Sequence, residues 1–138
     1  MPEDAPETKN FVVAPTNLQE FLNNELRYSK EALRIDEYNL EVFKQGEENS
    51  TLQEFYGGIE GAESSVLDSR ADFQRLEEAD RTLKDGDDSS AREILDKRLK
   101  EAEDGAAENF KLTGSSPITK MYLTDMNILR NLRDQLPK

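Results

Sequence analysis

The chain contains no cysteine, no histidine and no tryptophan. Without cysteine there is no disulfide, no thiolate zinc site and no iron–sulfur cluster. Without histidine or cysteine the usual proton shuttle and the strongest side-chain nucleophile are both missing, which leaves little for acid–base or covalent catalysis. A helical di-metal carboxylate site of the Glu-x-x-His kind is excluded on the same ground. No apolar run approaches the roughly 18 residues needed to cross a membrane. The segment Met1–Lys9 is acidic and carries Pro2 and Pro6, which is not the pattern of a secretory signal. The expectation is therefore a cytoplasmic chain without cofactor or metal.

What is present is charge. Of 138 residues, 35% are charged and only 35% are apolar, so the core is expected to be narrow, as in a helical bundle or hairpin. The net charge is -12, which disfavours direct contact with nucleic acid or an anionic membrane surface and favours a basic partner surface. The charge is unevenly placed. Residues 1–49 hold 11 acidic and 5 basic groups, residues 50–109 hold 17 and 8, and residues 110–138 hold 2 and 5. The last segment is basic in an otherwise acidic protein.

Apolar spacing predicts four helices. Residues 1–15 read as a flexible tail ending in a short apolar plug, Phe11-Val12-Val13. Helix one is expected from Thr16 to about Gln45, with Thr16 and Gln19 at capping-box spacing and Gly46 as its stop. It carries two stripes, Leu18-Leu22-Leu26-Leu33-Leu40 and Phe21-Tyr28-Ile35-Val42, about 140° apart around the axis. A helix that is apolar on two sides contacts more than one neighbour. After a turn at 46–49, helix two is expected to be capped by Ser50 or Thr51, with Glu54 completing a box with Thr51. Leu52, Phe55, Ile59, Ala62, Val66, Ser69, Phe73, Leu76, Asp80 and Leu83 alternate spacings of three and four, a heptad seam over more than four heptads. Gly57-Gly58 and Gly61 cut across it. They allow either a kinked helix or one that begins after Gly58 and leaves Phe55 and Tyr56 on a loop.

Ser90 and Glu93 suggest a third capping box, followed by Ile94, Leu95, Leu99, Ala102, Ala106 and Phe110, with Asp104-Gly105 as a potential interruption. Thr113-Gly114-Ser115-Ser116 reads as a linker. Ser116 then caps a last helix with Pro117 at its first position and a face of Ile118, Met121, Tyr122, Asp125, Ile128, Leu129, Leu132 and Leu136. Two motifs invite chemistry and have plainer explanations. Asp85–Asp96 resembles a calcium loop in its oxygen ligands, but Ser90 stands where the sharp turn needs glycine and Arg92 where an aliphatic residue belongs. Asn49-Ser50-Thr51 fits a glycosylation acceptor and equally a helix cap.

The expected fold is all-α, a four-helix bundle or helical hairpin with long antiparallel helices one and two and a C-terminal basic helix. The expected division is a tail over 1–15, an acidic helical body over 16–112, and a linker with a basic amphipathic helix over 113–138. The expected function is non-enzymatic: a structural or assembly protein that binds a protein partner, itself as a homo-oligomer included, through helix–helix contacts. Candidate interface residues are Phe21, Tyr28, Ile35 and Val42 on helix one, Phe55 and Tyr56 at the glycine break, and Ile118, Tyr122, Leu129 and Leu132 on the last helix. The alternative is an acidic inhibitor that mimics nucleic acid, with its carboxylates between Asp68 and Asp104. Against it, these acids are interleaved with Arg70, Arg75, Arg81, Arg92, Lys97, Arg98 and Lys100.

Overall fold

The computed structural model describes residues 14–46 and 50–137. The plug at Phe11–Val13, Asn49 and the middle of the 46–49 turn lie outside the described residues. The described part is all-helical, with no strand, and has five helices: α1 (Leu18–Lys44), α2 (Ser50–Tyr56), α3 (Ile59–Lys84), α4 (Ser89–Thr113) and α5 (Pro117–Asp134). The expected second helix is thus two. Gly57 and Gly58 both take positive φ, +74° and +114°, a region that L side chains rarely adopt. Gly61 completes the elbow, because a Cβ there would collide with the Tyr56 carbonyl oxygen.

The helix starts correct the expected caps by a residue. At α1 the cap is Asn17, whose Oδ1 accepts from Glu20 N at 2.8 Å. Glu20 in turn accepts from the Thr16 amide at 3.1 Å and the Thr16 hydroxyl at 3.0 Å. The box is therefore Asn17–Glu20, not Thr16–Gln19. Ser50 opens α2 and Thr51 is already helical. Asp88 is the cap residue of α4, and Ser90 lies inside the helix. At α5 the expectation holds: the Ser116 hydroxyl accepts from Thr119 N, and Pro117 stands at the first turn.

The chain forms two compact units. One gathers Met1–Asn24 with Ala79–Lys138; the other is Glu25–Glu78. In the first unit α4 packs on α5. Arg92 Nη2 donates to the Pro137 carbonyl at 2.6 Å, and Arg130 reaches Glu103 at 3.3 Å. The contacts run in opposite directions along the two helices, so they form an antiparallel hairpin. Ala91, Leu95, Leu99, Ala102 and Ala106 of α4 and Thr119, Asp125, Leu129 and Leu132 of α5 are buried. From α1, Leu18, Phe21 and Leu22 are buried in this unit too, each contributing about 1.5–3 kcal/mol by leaving water. Gln19 Nε2 donates to Asp80 Oδ1 at 2.6 Å. The potential break at Asp104-Gly105 does not occur: α4 runs through it.

In the second unit α1 meets both α2 and α3. Phe43 lies edge-on to Tyr56, and Asp36 bonds to Ser69. Moving forward along α1 thus moves backward along its partners, the antiparallel sense. Ala62, Val66 and Leu76 are buried and Phe73 is half-buried, so the heptad seam from Ala62 to Leu76 is the inward face of α3, while Ile59 at the start of the helix is exposed. The seam supplies a narrow core, as expected of a chain with so little apolar content.

Candidate interaction surfaces

Tyr56 ties the elbow between α2 and α3 to α1. The Tyr56 hydroxyl donates to Asp36 Oδ1 at 2.7 Å and accepts from Asn39 Nδ2 at 2.9 Å. The other Asp36 oxygen accepts from Ser69 Oγ at 2.6 Å. One carboxylate on α1 therefore ties down both α2 and α3. Burial pushes the Tyr56 phenol above its ordinary value. The hydrogen bond from Asn39 opposes that rise, and the hydrogen bond to and charge of Asp36 add to it. Of the two alternatives at the glycines, the loop does not form: Tyr56 ends a short helix and is pinned. Its neighbour Phe55 is not pinned. Phe55 packs edge-on against Tyr56 with ring centroids 4.8 Å apart, yet remains 78% exposed. Its heptad position belongs to the inward seam. The two positive-φ glycines turn it out.

On α1 the second stripe divides. Phe21 is fully buried, whereas Tyr28 is 46% and Ile35 51% exposed; Val42 is half-buried. Tyr38, outside both expected stripes, is also exposed, and it extends Tyr28 and Ile35 into a row. On α5, Ile118 is exposed, Tyr122 is half-buried, and Leu129 and Leu132 are buried. Phe21, Leu129 and Leu132 are thus corrections as interface candidates. All three are buried in the chain's own core; Leu129 and Leu132 lie on α5, which packs on the Ala-rich line of α4. Gly105 lets the two helices approach closely: a Cβ there would sit 2.6 Å from Tyr122 Cδ1 and Cε1.

The α4–α5 hairpin leaves an apolar groove of about 370 Å³ on one side, lined by Ala106, Ala107, Phe110, Leu123 and Met126, with Glu103, Arg130 and Thr119 around it. Phe110 and Leu123 are exposed, as are Leu112 nearby and Leu67 on α3. Tyr38, Leu67 and Leu123 are exposed too, and each lies off the apolar stripes expected for its helix, so those stripes do not mark them. An apolar residue off every seam is itself the signal that would have found them.

Acid–base chemistry gains no support from the carboxylate clusters. Asp36 is committed to the elbow and Glu37 pairs with Arg70 at 3.3 Å. Burial raises Asp80, but the hydrogen bond from Gln19 together with the hydrogen bond and charge of Lys84 outweighs it and holds the carboxyl below its ordinary value. In the resemblance to a calcium loop, Asp87 accepts from the hydroxyl and amide of Ser89, which lowers its carboxyl below the usual range. From Ser89 onward the segment is helix. A helical backbone cannot wrap an ion as the twelve-residue loop does, so Asp85–Asp96 is a turn and a helix start, not a calcium loop. Among the described residues no group of three or more acidic side chains is placed to hold a metal ion, and no helix is long and apolar enough to cross a membrane. Comparison of the chain with protein families, with curated proteins and with solved structures found no match.

Proposed function

We propose that this protein is a non-enzymatic helical assembly protein that works by burying apolar helix faces against a protein partner. The observation that carries the reading is that Tyr28 and Ile35 on α1 stay exposed although their stripe begins with the fully buried Phe21, and that the exposed Tyr38 beside them extends the row. Covering such side chains is worth about 25 cal/mol per Å² of apolar area, before the cost of ordering two chains. An adaptor or scaffold needs such a surface.

The reading as an acidic mimic is the weaker one. Acids in the middle segment are answered locally: Asp72 by Arg75 at 2.9 Å, Asp80 by Lys84 at 2.9 Å, Asp88 by Arg92 at 2.8 Å and Glu101 by Arg98 at 2.9 Å. Such exposed pairs add little stability, but they dilute the one-signed field that a phosphate mimic needs.

The test is sedimentation velocity on the wild type and on a Tyr28→Ser, Ile35→Ser, Tyr38→Ser variant. Helicity of the variant should be unchanged, since all three side chains are exposed. The variant should need at least about tenfold more protein than the wild type for the same weight-average mass, the equivalent of about 1.4 kcal/mol. Superimposable mass curves would overturn the reading.

A further inference from the structure

We infer that the partner covering the α1 row is a second copy of this chain, laid antiparallel along the same helix about a two-fold axis level with Asp36 and Glu37. The inference rests on the assembly reading above and names its partner. Tyr28, Glu31, Ile35, Tyr38, Val42 and Gln45 alternate spacings of three and four, which keeps them on one side of the helix and suits that side to a second helix. All are exposed except Val42, which is half-buried. The row lies within the single unit Glu25–Glu78.

The row complements itself in one arrangement. Reversed about its own midpoint, it sets Ile35 of each copy against Tyr38 of the other, so its two central apolar residues cover one another. Tyr28 then meets Gln45, and Glu31 meets Val42 beside its own Arg34, which it reaches at 2.6 Å. A parallel alignment sets Glu31 against Glu31 instead. Sliding the antiparallel pair by one heptad toward the N-terminus sets Ile35 against Glu31 and Arg34 against Arg34.

Charge on the edge of the row selects the same arrangement. Arg34 and Glu41 each stand one residue before a member of the row, and both are exposed. In antiparallel pairing this edge meets its own copy, and Arg34 of each chain faces Glu41 of the other, twice by symmetry. In parallel pairing it meets the opposite edge, Ala32 and Asn39, which carries no charge. Both groups are available for the contact. Glu41 makes no ion pair among the described residues. Arg34 is held only by the exposed Glu31 of its own helix, and a guanidinium has five donors, enough for a second carboxylate. Because the same face serves both copies, association closes at two.

The experiment reverses the two edge charges. Arg34→Glu and Glu41→Arg change exposed side chains, so circular dichroism and thermal melting should match the wild type. Sedimentation velocity at low salt, where such pairs are least screened, is read for the wild type, each variant alone and their equimolar mixture. Each reversal turns two attractive contacts into two repulsive ones, so each variant alone should need about tenfold more protein for the same weight-average mass. The mixture restores both contacts with their signs exchanged and should return to within about twofold of the wild type. Glu41→Arg is the stringent case: it reduces the net charge of -12, so general repulsion alone would make it associate more readily. Either variant associating as the wild type does, a mixture no stronger than the variants alone, or a wild-type mass that climbs past the dimer overturns the antiparallel pair. The assembly reading survives those outcomes if the Tyr28→Ser, Ile35→Ser, Tyr38→Ser variant has lost association. If the wild type is monomeric throughout, both fall.

Discussion

Replacing Gly105 by alanine sets two opposing effects against each other at one atom. Alanine in a helix interior is favoured over glycine by about 1 kcal/mol, so at an open helical site the change stabilises. At Gly105 the new Cβ would lie 2.6 Å from Cδ1 and Cε1 of Tyr122 and 2.9 Å from Cζ. Carbon atoms rest about 3.5–4.0 Å apart, so the ring or the whole of α5 must retreat by about 1 Å. Overpacking of this kind costs about 1–3 kcal/mol. The expected net is a destabilisation of about 1 kcal/mol, or a drop of about 3 °C in midpoint for a chain of this length. The decisive assay is a double-mutant cycle by urea unfolding. In a Tyr122→Ala background the ring is gone, and the same Gly105→Ala change should stabilise by about 1 kcal/mol. The sign reverses, with a coupling of about 2 kcal/mol between the two positions. If Gly105→Ala stabilises the wild type as much as it stabilises the Tyr122→Ala chain, the close approach of α4 and α5 carries no weight in the packing.

Three further outcomes follow from the polar anchors. Asp36→Ala leaves the Tyr56 and Ser69 hydroxyls without their shared acceptor; it should cost about 1–3 kcal/mol in urea unfolding and speed proteolysis at the elbow, and an unchanged midpoint would contradict the role given to Asp36. The raised Tyr56 phenol is a statement about alkaline stability: its folded value lies above the unfolded one of about 10, so its contribution is fully present below that pH and is lost as pH rises through the folded value. Tyr56→Phe should remove that alkaline loss from a pH series of thermal midpoints, and persistence of the same slope would place its origin elsewhere. Asp80 behaves oppositely: with its folded value depressed, its contribution is present above the unfolded value of about 3.9 and lost as pH falls through the folded one. Lys84→Met, which removes one of the two donors, should shrink that acid loss.

The helices were legible because their apolar residues recur at three and four. The α3 seam from Ala62 to Leu76 is the inward face that the spacing implied, and Ser116-Pro117 opens α5 as read. The caps were legible only to within a residue, because neighbouring short polar side chains compete for the same orphan amides. Thr16 and Asn17 are both competent, and the choice falls to whichever geometry also lets Glu20 reach back. Phe55 was misplaced by its own pattern. Periodicity carries it along the seam, but backbone conformation at Gly57 and Gly58 overrides periodicity, and positive φ is not written in spacing. Leu129 and Leu132 read as a free face because one amphipathic stripe looks the same whether its cover is internal or external. The Ala-rich line of α4, Gly105 included, is the feature that makes the cover internal. The buried carboxyl of Asp125 sits within the apolar face of α5 as the spacing placed it, whereas the elbow network of Asp36, Tyr56 and Ser69 joins residues 33 apart in sequence that no local motif connects.

The claim that apolar faces drive assembly is tested most directly by the mass of the wild-type protein across concentration at low and at high salt. Salt screens the mutual repulsion of chains carrying a net charge of -12, and it does not weaken apolar contact. The weight-average mass should therefore rise with concentration in both conditions, and at least as steeply in high salt. A monomer at every concentration in both salts, or an association that vanishes as salt is added, would contradict the account.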